Sequence, residues 1–325
     1  MPRDITHWLI AADTAALLPA DGFYGASARE RPALLALGAI FHDALFYAPP
    51  SRAGFAWLAD RLHGEAGEDS FAPVRGLHRA AGELRAARSP LADDLGAFLV
   101  GFVSHLHADA TFHPFVFYHS GLPGPSGRMN SAVSQLHRRL EALIDVHFVG
   151  REGLDAWSLA RFLDEAGGRA RDLSWIAARA LVDPGEQAAL VATLQAAFAR
   201  YAGAQAVFRR RGLAQAAHAV RRLLPDGARE VVALAYAPEL VPLLARVAGE
   251  VAYRHPVTGV PESVSLARLR RRAATTAAAT LARLEATAPD AEPLAGEVGP
   301  TLVAGLPGAG ATALVHGAPT PLVPA

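Results

Sequence analysis

One stretch decides the fold: Gly101–Pro114, which reads GFVSHLHADATFHP. Because a helix turns by about 100° per residue, side chains four positions apart form one row along a single face. Here the row holds two imidazoles and a carboxylate, His105, Asp109 and His113. Such groups are costly to bury among apolar neighbours unless a positive charge lies between them. The stretch therefore predicts a helix that ends at Pro114 and presents metal ligands.

A second row of the same kind follows in the next predicted helix. The loop at residues 121–127, GLPGPSG, separates the two helices, and His137, Glu141 and Asp145 again stand four residues apart. Helices joined by a short loop usually pack against each other, and metal sites in helical bundles are built from side chains on facing helices. One row arises readily by chance on a solvent-exposed face. Two rows in successive helices predict a metal cluster between them.

The composition limits which ligands and partners are possible. The chain has 325 residues, of which 51% are hydrophobic, so it can bury a substantial core. It has no Cys, which excludes disulfides and thiolate metal sites and leaves His, Asp, Glu, water and the backbone as ligands. Basic and acidic residues balance at 31 each, and such neutrality counts against a nucleic-acid-binding face. Ten of the 13 His residues lie at or before His147, so chemistry is expected in the N-terminal half.

The apolar spacing predicts an all-α protein, a multi-helix bundle with the metal cluster between helices. Three regions are expected. Residues 1–149 form the metal-binding helical domain, residues 150–288 form a helical extension packed on it, and residues 289–325 form a Pro-, Gly- and Ala-rich tail without a core of its own. No stretch alternates convincingly with period two. The run Gly305–Thr312 is similar to a phosphate-binding loop, but it lacks the required Lys and is interpreted as low-complexity sequence.

The sequence also predicts where the protein works. The N-terminus carries Asp4 and Asp13 within its apolar stretch, so no signal peptide is recognised. The longest apolar runs, such as Leu95–Val103, are about half the ~20 residues that a membrane span needs. A soluble protein without transmembrane segments, located in the cytoplasm, is therefore expected. Its oligomeric state is left open.

These motifs together resemble the bacterial zinc-dependent phospholipase C family. The most specific part is the pattern in residues 101–118, GFVSHLHADATFHPFVFY, followed by HRRLEALID at residues 137–145. Gly38–Asp43, Thr6-His7 and Leu62–Glu65 also match segments of that family. The resemblance covers roughly residues 5–148. It implies an all-α protein that holds two or three zinc ions, an arrangement that recurs in single-strand-specific zinc nucleases.

The resemblance implies a set of zinc ligands. One zinc would be bound by four residues, Asp43, His63, His105 and Asp109. Another would be bound by His113, His137 and Glu141. His7 would belong to a third site, with Asp109 bridging, which relatives complete with the amino group of a processed N-terminus. No processing signal is recognised in this chain, so the third site is left open.

For several positions, the sequence leaves the choice of ligand or its role open. His113 is spaced closer to Asp109 than the corresponding residue of the secreted enzymes, and His119 is its substitute. His78 competes with His63, which family spacing favours. His42 is expected beside the ligands rather than on the metal. Asp145 is expected to hydrogen-bond to a ligand or to a backbone group. The remaining histidines are treated as structural or peripheral: His107, His147, His218, His255 and His316.

The function that follows is a zinc-dependent phosphodiester hydrolase of phospholipase C type, acting on a phospholipid or another small phosphodiester. Metal lowers the pKa of bound water from about 15.7 to about 7, so that activated water attacks phosphorus. By family analogy, Asp43 is the catalytic residue that accepts the proton of this water. Two rivals remain: a single-strand nuclease-like phosphodiesterase, and a non-catalytic helical binding protein with a structural metal site.

Overall fold

The computed structural model describes residues 3–287 and 291–324. The ends of the predicted regions at residues 1–2, 288–290 and 325 lie outside the described residues. Almost all regular structure is helical, as predicted. The α-helices are α1 Asp4–Leu17, α2 Phe23–Glu30, α3 Pro32–Gly38, α4 Phe41–Ala44, α5 Ala56–His63, α6 Phe71–Ala86, α7 Leu91–Ser120, α8 Ser131–Gly153, α9 Leu159–Ala166, α10 Arg169–Leu181, α11 Gln187–Arg209, α12 Arg211–Val220, α13 Asp226–Val232 and α14 Leu266–Glu285.

Six short 3₁₀ segments complete the helical structure. They are Leu45–Tyr47, Pro50–Phe55, Leu154–Ala156, Arg221–Leu223, Pro238–Arg246 and Ala311–Ala313. A two-stranded antiparallel hairpin is formed by β1 Val251–Arg254 and β2 Pro261–Val264, with Val251 opposite Val264. The sequence shows no convincing period of two here, because strands of four residues are too short to establish one.

Helix α7 is the centre of the molecule. It is buried along nearly its whole length and contacts α1, α2, α3, α6, α8 and α14. Two glycines let α3 approach it closely. A Cβ at Gly101 would lie 2.1 Å from the Leu35 carbonyl oxygen, and one at Gly38 would lie 2.0 Å from that of Phe98. The apolar environment predicted for the first polar row is therefore supplied by surrounding helices.

The predicted end of this helix at Pro114 is wrong. Helix α7 continues through the proline to Ser120. Pro114 has no N–H to donate to the carbonyl of Ala110, the usual partner four residues earlier. Gly305 packs against that carbonyl, where a Cβ would lie only 2.3 Å from the oxygen. The helix nevertheless continues through the proline and carries His119 in its last turn.

Helix α8 carries the second row. The sequence predicts Asn130 or Ser131 as its N-cap, and the helix begins at Ser131. The Asn130 side chain caps it by accepting a hydrogen bond from the Val133 N–H at 3.0 Å. His137, Glu141 and Asp145 are all buried on it. Helices from the second half of the chain pack on helices of the first half: α9 packs on α3, α10 on α6, and α13 on α8. The boundaries of the three predicted regions remain predictions.

The C-terminal segment, residues 291–324, differs from the loose packing that its composition suggested. Leu302, Val303 and Ala304 are buried, and Val303 and Ala304 form a small apolar cluster with Phe117 of α7. The backbone N–H of Leu302 donates to the carbonyl of His63 at 3.0 Å. Small residues allow this close approach to the helices, although they lack the periodicity that identifies an element from sequence.

Candidate metal centre

Four buried donors meet between α4, α5 and α7: Asp43, His63, His105 and Asp109. One ligand atom from each lies within 4.8 Å of all the others. The Nε2 atom of His63 is 3.2 Å from Asp43 Oδ1 and 3.6 Å from Asp109 Oδ2. The Nε2 atom of His105 is 3.2 Å from Asp109 Oδ2 and 3.8 Å from Asp43 Oδ1. The four residues that the resemblance assigned to one zinc therefore lie together.

A second group of buried donors lies between α7 and α8: His113, His137 and Glu141. Their ligand atoms also lie within 4.8 Å of one another. The Nε2 atom of His137 is 2.9 Å from Glu141 Oε1, one helical turn further on. The His113 and His137 ring centroids are 5.6 Å apart. His113 thus points to the second row despite its shortened spacing.

Backbone carbonyls orient three of the histidines. His63 Nδ1 lies 2.7 Å from the Ala59 oxygen, His105 Nδ1 lies 2.7 Å from the Ala39 oxygen, and His113 Nδ1 lies 2.6 Å from the Leu302 oxygen. A carbonyl only accepts hydrogen bonds, so each Nδ1 carries the proton and each Nε2 keeps its lone pair when the ring is neutral. Ligating histidines are commonly fixed in this way. The lone pairs of His63 and His105 then face the oxygens of Asp43 and Asp109. A cation bound between these groups would remove the repulsion between them.

His7 adds a further imidazole to the first group. Its Nε2 is 3.3 Å from Asp109 Oδ1, and its ring stacks on that of His105 with centroids 3.9 Å apart. Asp109 therefore faces three imidazoles, as a bridging ligand would. The N-terminal amino group that completes the third site in relatives lies outside the described residues.

Asp145 holds the beginning of α1, the helix that carries His7. Its carboxylate accepts hydrogen bonds from the Thr6 N–H at 2.9 Å and the Thr6 hydroxyl at 2.6 Å. The Tyr236 hydroxyl donates to the other oxygen at 2.7 Å. Burial raises the pKa of Asp145 to about 6, against the effect of these donors. Asp145 thus bonds to backbone next to His7, the second of the two roles expected for it.

The electrostatics of the buried groups suit a cation. Burial would raise the pKa of Asp109, but His113, His105 and His7 hold that pKa well below its usual range. Burial lowers the pKa of His113 and of His137 well below the ordinary value, which favours neutral rings. Both Asp109 oxygens and His105 Nε2 lack a partner in hydrogen-bonding geometry among the described residues. Ionised carboxylate and neutral imidazole are the nitrogen and oxygen ligands that Zn²⁺ accepts, so the donor set fits zinc.

The structure also places the competing histidines. His78 bonds to the Tyr24 hydroxyl at 2.5 Å, away from the cluster, and His119 packs against Phe115 in the last turn of α7. His42 stacks on His105 with centroids 4.3 Å apart, next to the ligands as expected. His107 Nε2 lies 2.9 Å from the Thr280 hydroxyl. Neither His78 nor His119 belongs to either donor group.

A cavity of about 490 Å³ gives access to both donor groups. Two donors of the first group line it, Asp43 and His63, together with all three donors of the second. The remaining wall is mainly apolar and aromatic, and it also carries three arginines and two carboxylates. Its residues are Phe46, Tyr47, Phe117, Met129, Tyr201, Ala204, Phe208, Val231, Leu234 and Val303, with Arg3, Arg138 and Arg200 and with Asp4 and Glu65. Sequence reasoning missed this wall, because its residues come from distant elements and form no local pattern.

A family model described as zinc dependent phospholipase C matches residues 6–180 of the chain. No curated protein and no solved structure matches the chain. Within the described residues, no helix combines the length and apolar character that crossing a membrane requires. The family match spans more than half of the 325 residues and contains every donor of both groups. The chain therefore belongs to the zinc dependent phospholipase C family.

Proposed function

We propose that the protein is a zinc-dependent hydrolase of phosphodiesters, of phospholipase C type. The observation that carries the proposal is that two separate groups of buried donors line one cavity. Family membership supports a hydrolase and zinc. A structural metal site would not need a cavity of this size beside its ligands, which counts against a purely scaffolding role.

The proposed ligands follow the two donor groups. Asp43, His63, His105 and Asp109 would hold one zinc, His113, His137 and Glu141 a second, and His7 with Asp109 would contribute to a third. Zinc supplies a Lewis acid for phosphate oxygens and lowers the pKa of bound water towards neutrality. The carbonyls of Ala39, Ala59 and Leu302 would fix the imidazole rings in position beforehand.

Asp43 is the proposed proton acceptor. Of the two carboxylates in the first group, Asp43 lines the cavity, whereas Asp109 is fully buried behind it. A general base must reach the proton that it removes, so the carboxylate facing the cavity suits that role. Asp43→Asn is expected to lower turnover by about 10²–10⁴-fold. Retention of the wild-type pH–rate profile and turnover by this variant would contradict the assignment.

The walls of the cavity favour a lipid substrate. Apolar side chains from the segment Leu45–Tyr47, α7, α11 and α13 would contact acyl chains, and Arg138 and Arg200 offer positive charge to a phosphate. A nuclease would need a basic surface for a nucleic-acid backbone, and the overall charge is balanced. We therefore propose a phospholipid or a similar small phosphodiester. The cytoplasmic location remains a prediction.

Metal analysis combined with a substrate screen tests the proposal. The purified full chain is expected to hold at least two zinc ions and to release phosphorylated headgroup from a choline phospholipid analogue. Less than one metal per chain after careful preparation would overturn the zinc centre. Preferred cleavage of single-stranded DNA would assign the nuclease function instead. Bound zinc without hydrolysis of any phosphodiester would assign a binding protein.

A further inference from the structure

Helix α12 and the turn after it present apolar side chains to the outside. Leu213, Ala216, Val220 and Leu223 follow one another at intervals of three, four and three residues, so they form one row, here termed the outer stripe. Three of them are large and exposed: Leu213 at 49%, Val220 at 45% and Leu223 at 87%. The opposite side of α12 buries only Ala214 and His218. This is an amphipathic helix whose apolar row faces away from the protein.

The chain segment that carries the outer stripe is basic, although Glu239 of the neighbouring segment lies near His218 on the buried side of α12. Arg210 and Arg211 precede it, and Arg222 lies between its last two large members. No Asp or Glu occurs between Glu186 and Asp226, although acidic and basic residues are equal in number over the whole chain. A short helix with exposed apolar residues and flanking arginines is typical of segments that lie in the interface of a membrane.

The chain segments before and after the outer stripe both contribute to the cavity wall. The preceding helix α11 supplies Arg200 and Phe208 to the cavity wall, and Val231 and Leu234 follow α12 in the chain and also line it. At the mouth, Phe46 is 50% exposed. The outer stripe thus lies in the chain between two segments that form part of the cavity wall.

We propose that the outer stripe docks on a lipid surface that contains anionic headgroups. The apolar row would enter the boundary between headgroups and acyl chains, and the flanking arginines would pair with lipid phosphates and other anionic groups. Charge complementarity selects this occupant, since the surrounding segment carries only positive charge. Docking goes beyond the proposed hydrolysis, and lipid binding and turnover are measured separately.

Vesicle flotation with the full chain tests docking. The chain is expected to float with vesicles of phosphatidylcholine mixed with phosphatidylglycerol, and less with phosphatidylcholine alone. The double variant Leu213→Ser/Leu223→Ser is expected to bind the mixed vesicles about tenfold more weakly. Leu17→Ser is the matched control, because Leu17 is a 56% exposed leucine outside the outer stripe. It is expected to bind like the wild type.

A second pair of variants tests the charge. Arg210→Gln/Arg222→Gln is expected to lose the preference for phosphatidylglycerol, while Arg171→Gln on α10 keeps it. Hydrolysis of a soluble phosphodiester should be unchanged in the stripe variant, which separates loss of docking from loss of the active site. Equal flotation of wild type and stripe variant would overturn the proposal. A dimer that the stripe variant abolishes, without any vesicle binding, would assign the outer stripe to a second copy and also overturn it.

Discussion

Asp109 is the residue on which the first donor group depends most. Its two oxygens lie 3.2–3.6 Å from the Nε2 atoms of His7, His63 and His105. Asp109→Asn keeps the size of the side chain but removes the charge that three imidazoles face. We expect zinc affinity to fall about 100-fold or more, with loss of turnover, since even partners of metal ligands contribute 10–100-fold.

Asp13→Asn is the matched control for this prediction. Asp13 lies on α1 and forms a partly exposed pair with Arg270 outside both donor groups, at 2.6 and 2.8 Å. Exposed pairs contribute about 0–1 kcal/mol, so zinc content and turnover should stay at the wild-type level. Full zinc content in Asp109→Asn, measured by metal analysis, would contradict the role of Asp109 as a bridging ligand.

His119 connects stability to pH. Burial lowers its pKa from 6.5 to about 4, so the folded protein binds fewer protons there than the unfolded chain. The free energy of unfolding is therefore highest above pH 6.5 as far as His119 is concerned. It falls by about 3 kcal/mol at most as the pH drops from 6.5 to 4. We expect His119→Gln to lose correspondingly less stability over that range in urea unfolding. Parallel curves for the two proteins would contradict this, and a fall in zinc content would make His119 a ligand after all.

Residue spacing predicted which side chains meet, but not what orients them. His105 with Asp109, and His137 with Glu141, were visible because four-residue spacing is a property of the helix itself. The carbonyl of Leu302 that holds His113 lies 189 residues away in the chain. Every residue has a backbone carbonyl, so a sequence motif cannot show which carbonyl makes this contact. For the same reason, the sequence did not reveal the roles of Ala39 and Ala59.

At the scale of elements, the contact between α3 and α7 positions the first donor group. A Cβ on Gly101 would lie 2.1 Å from the Leu35 oxygen and 2.6 Å from the Ala39 nitrogen. Gly101→Ala therefore forces the helices apart and moves the Ala39 carbonyl that holds His105. We expect a loss of about 1–3 kcal/mol in the free energy of unfolding, together with weaker zinc binding.

Gly82→Ala on α6 is the control for this contact. A Cβ there meets nothing within 4 Å. Alanine in an exposed helix position stabilises by about 0.5–1 kcal/mol relative to glycine. Chemical unfolding of both variants, with zinc content measured in parallel, distinguishes the steric effect of a Cβ at Gly101 from the higher helix propensity of alanine. Equal effects of the two substitutions would contradict the proposed role of Gly101.

Elements with strong periodicity were predicted well, and elements decided by tertiary contacts were not. The apolar period showed the helices, and Asn130 marked the start of α8. The continuation of α7 past Pro114 was not predicted, because a proline in the local sequence usually ends a helix. The hairpin of β1 and β2 is too short for its pattern to stand out. The Pro-, Gly- and Ala-rich composition of the C-terminal segment has no apolar period, so it did not show that Leu302 and Val303 would be buried.

For the whole molecule, the metal is expected to contribute to folding stability. Without a cation, the lone pairs of buried imidazoles face buried carboxylates. A ligand that binds only the folded state stabilises it by about 4 kcal/mol when present at 1,000 times its dissociation constant. We expect a chelator to lower the thermal midpoint by about 5 °C or more and to abolish turnover. Zinc should restore both, whereas magnesium, which prefers oxygen ligands, should not.

The way the C-terminal segment closes over the donor groups bears on the order of events during biosynthesis. Domains fold as the chain emerges from the ribosome, N-terminal parts first. Every donor lies at or before Glu141, yet the carbonyl that orients His113, and the amide that binds the His63 backbone, belong to Leu302. We therefore expect a nascent chain that exposes all its ligands but lacks Leu302 to bind zinc less tightly. Ribosome-stalled chains ending before Leu302 should retain less zinc than released full-length chains, and equal retention would show that loading precedes completion.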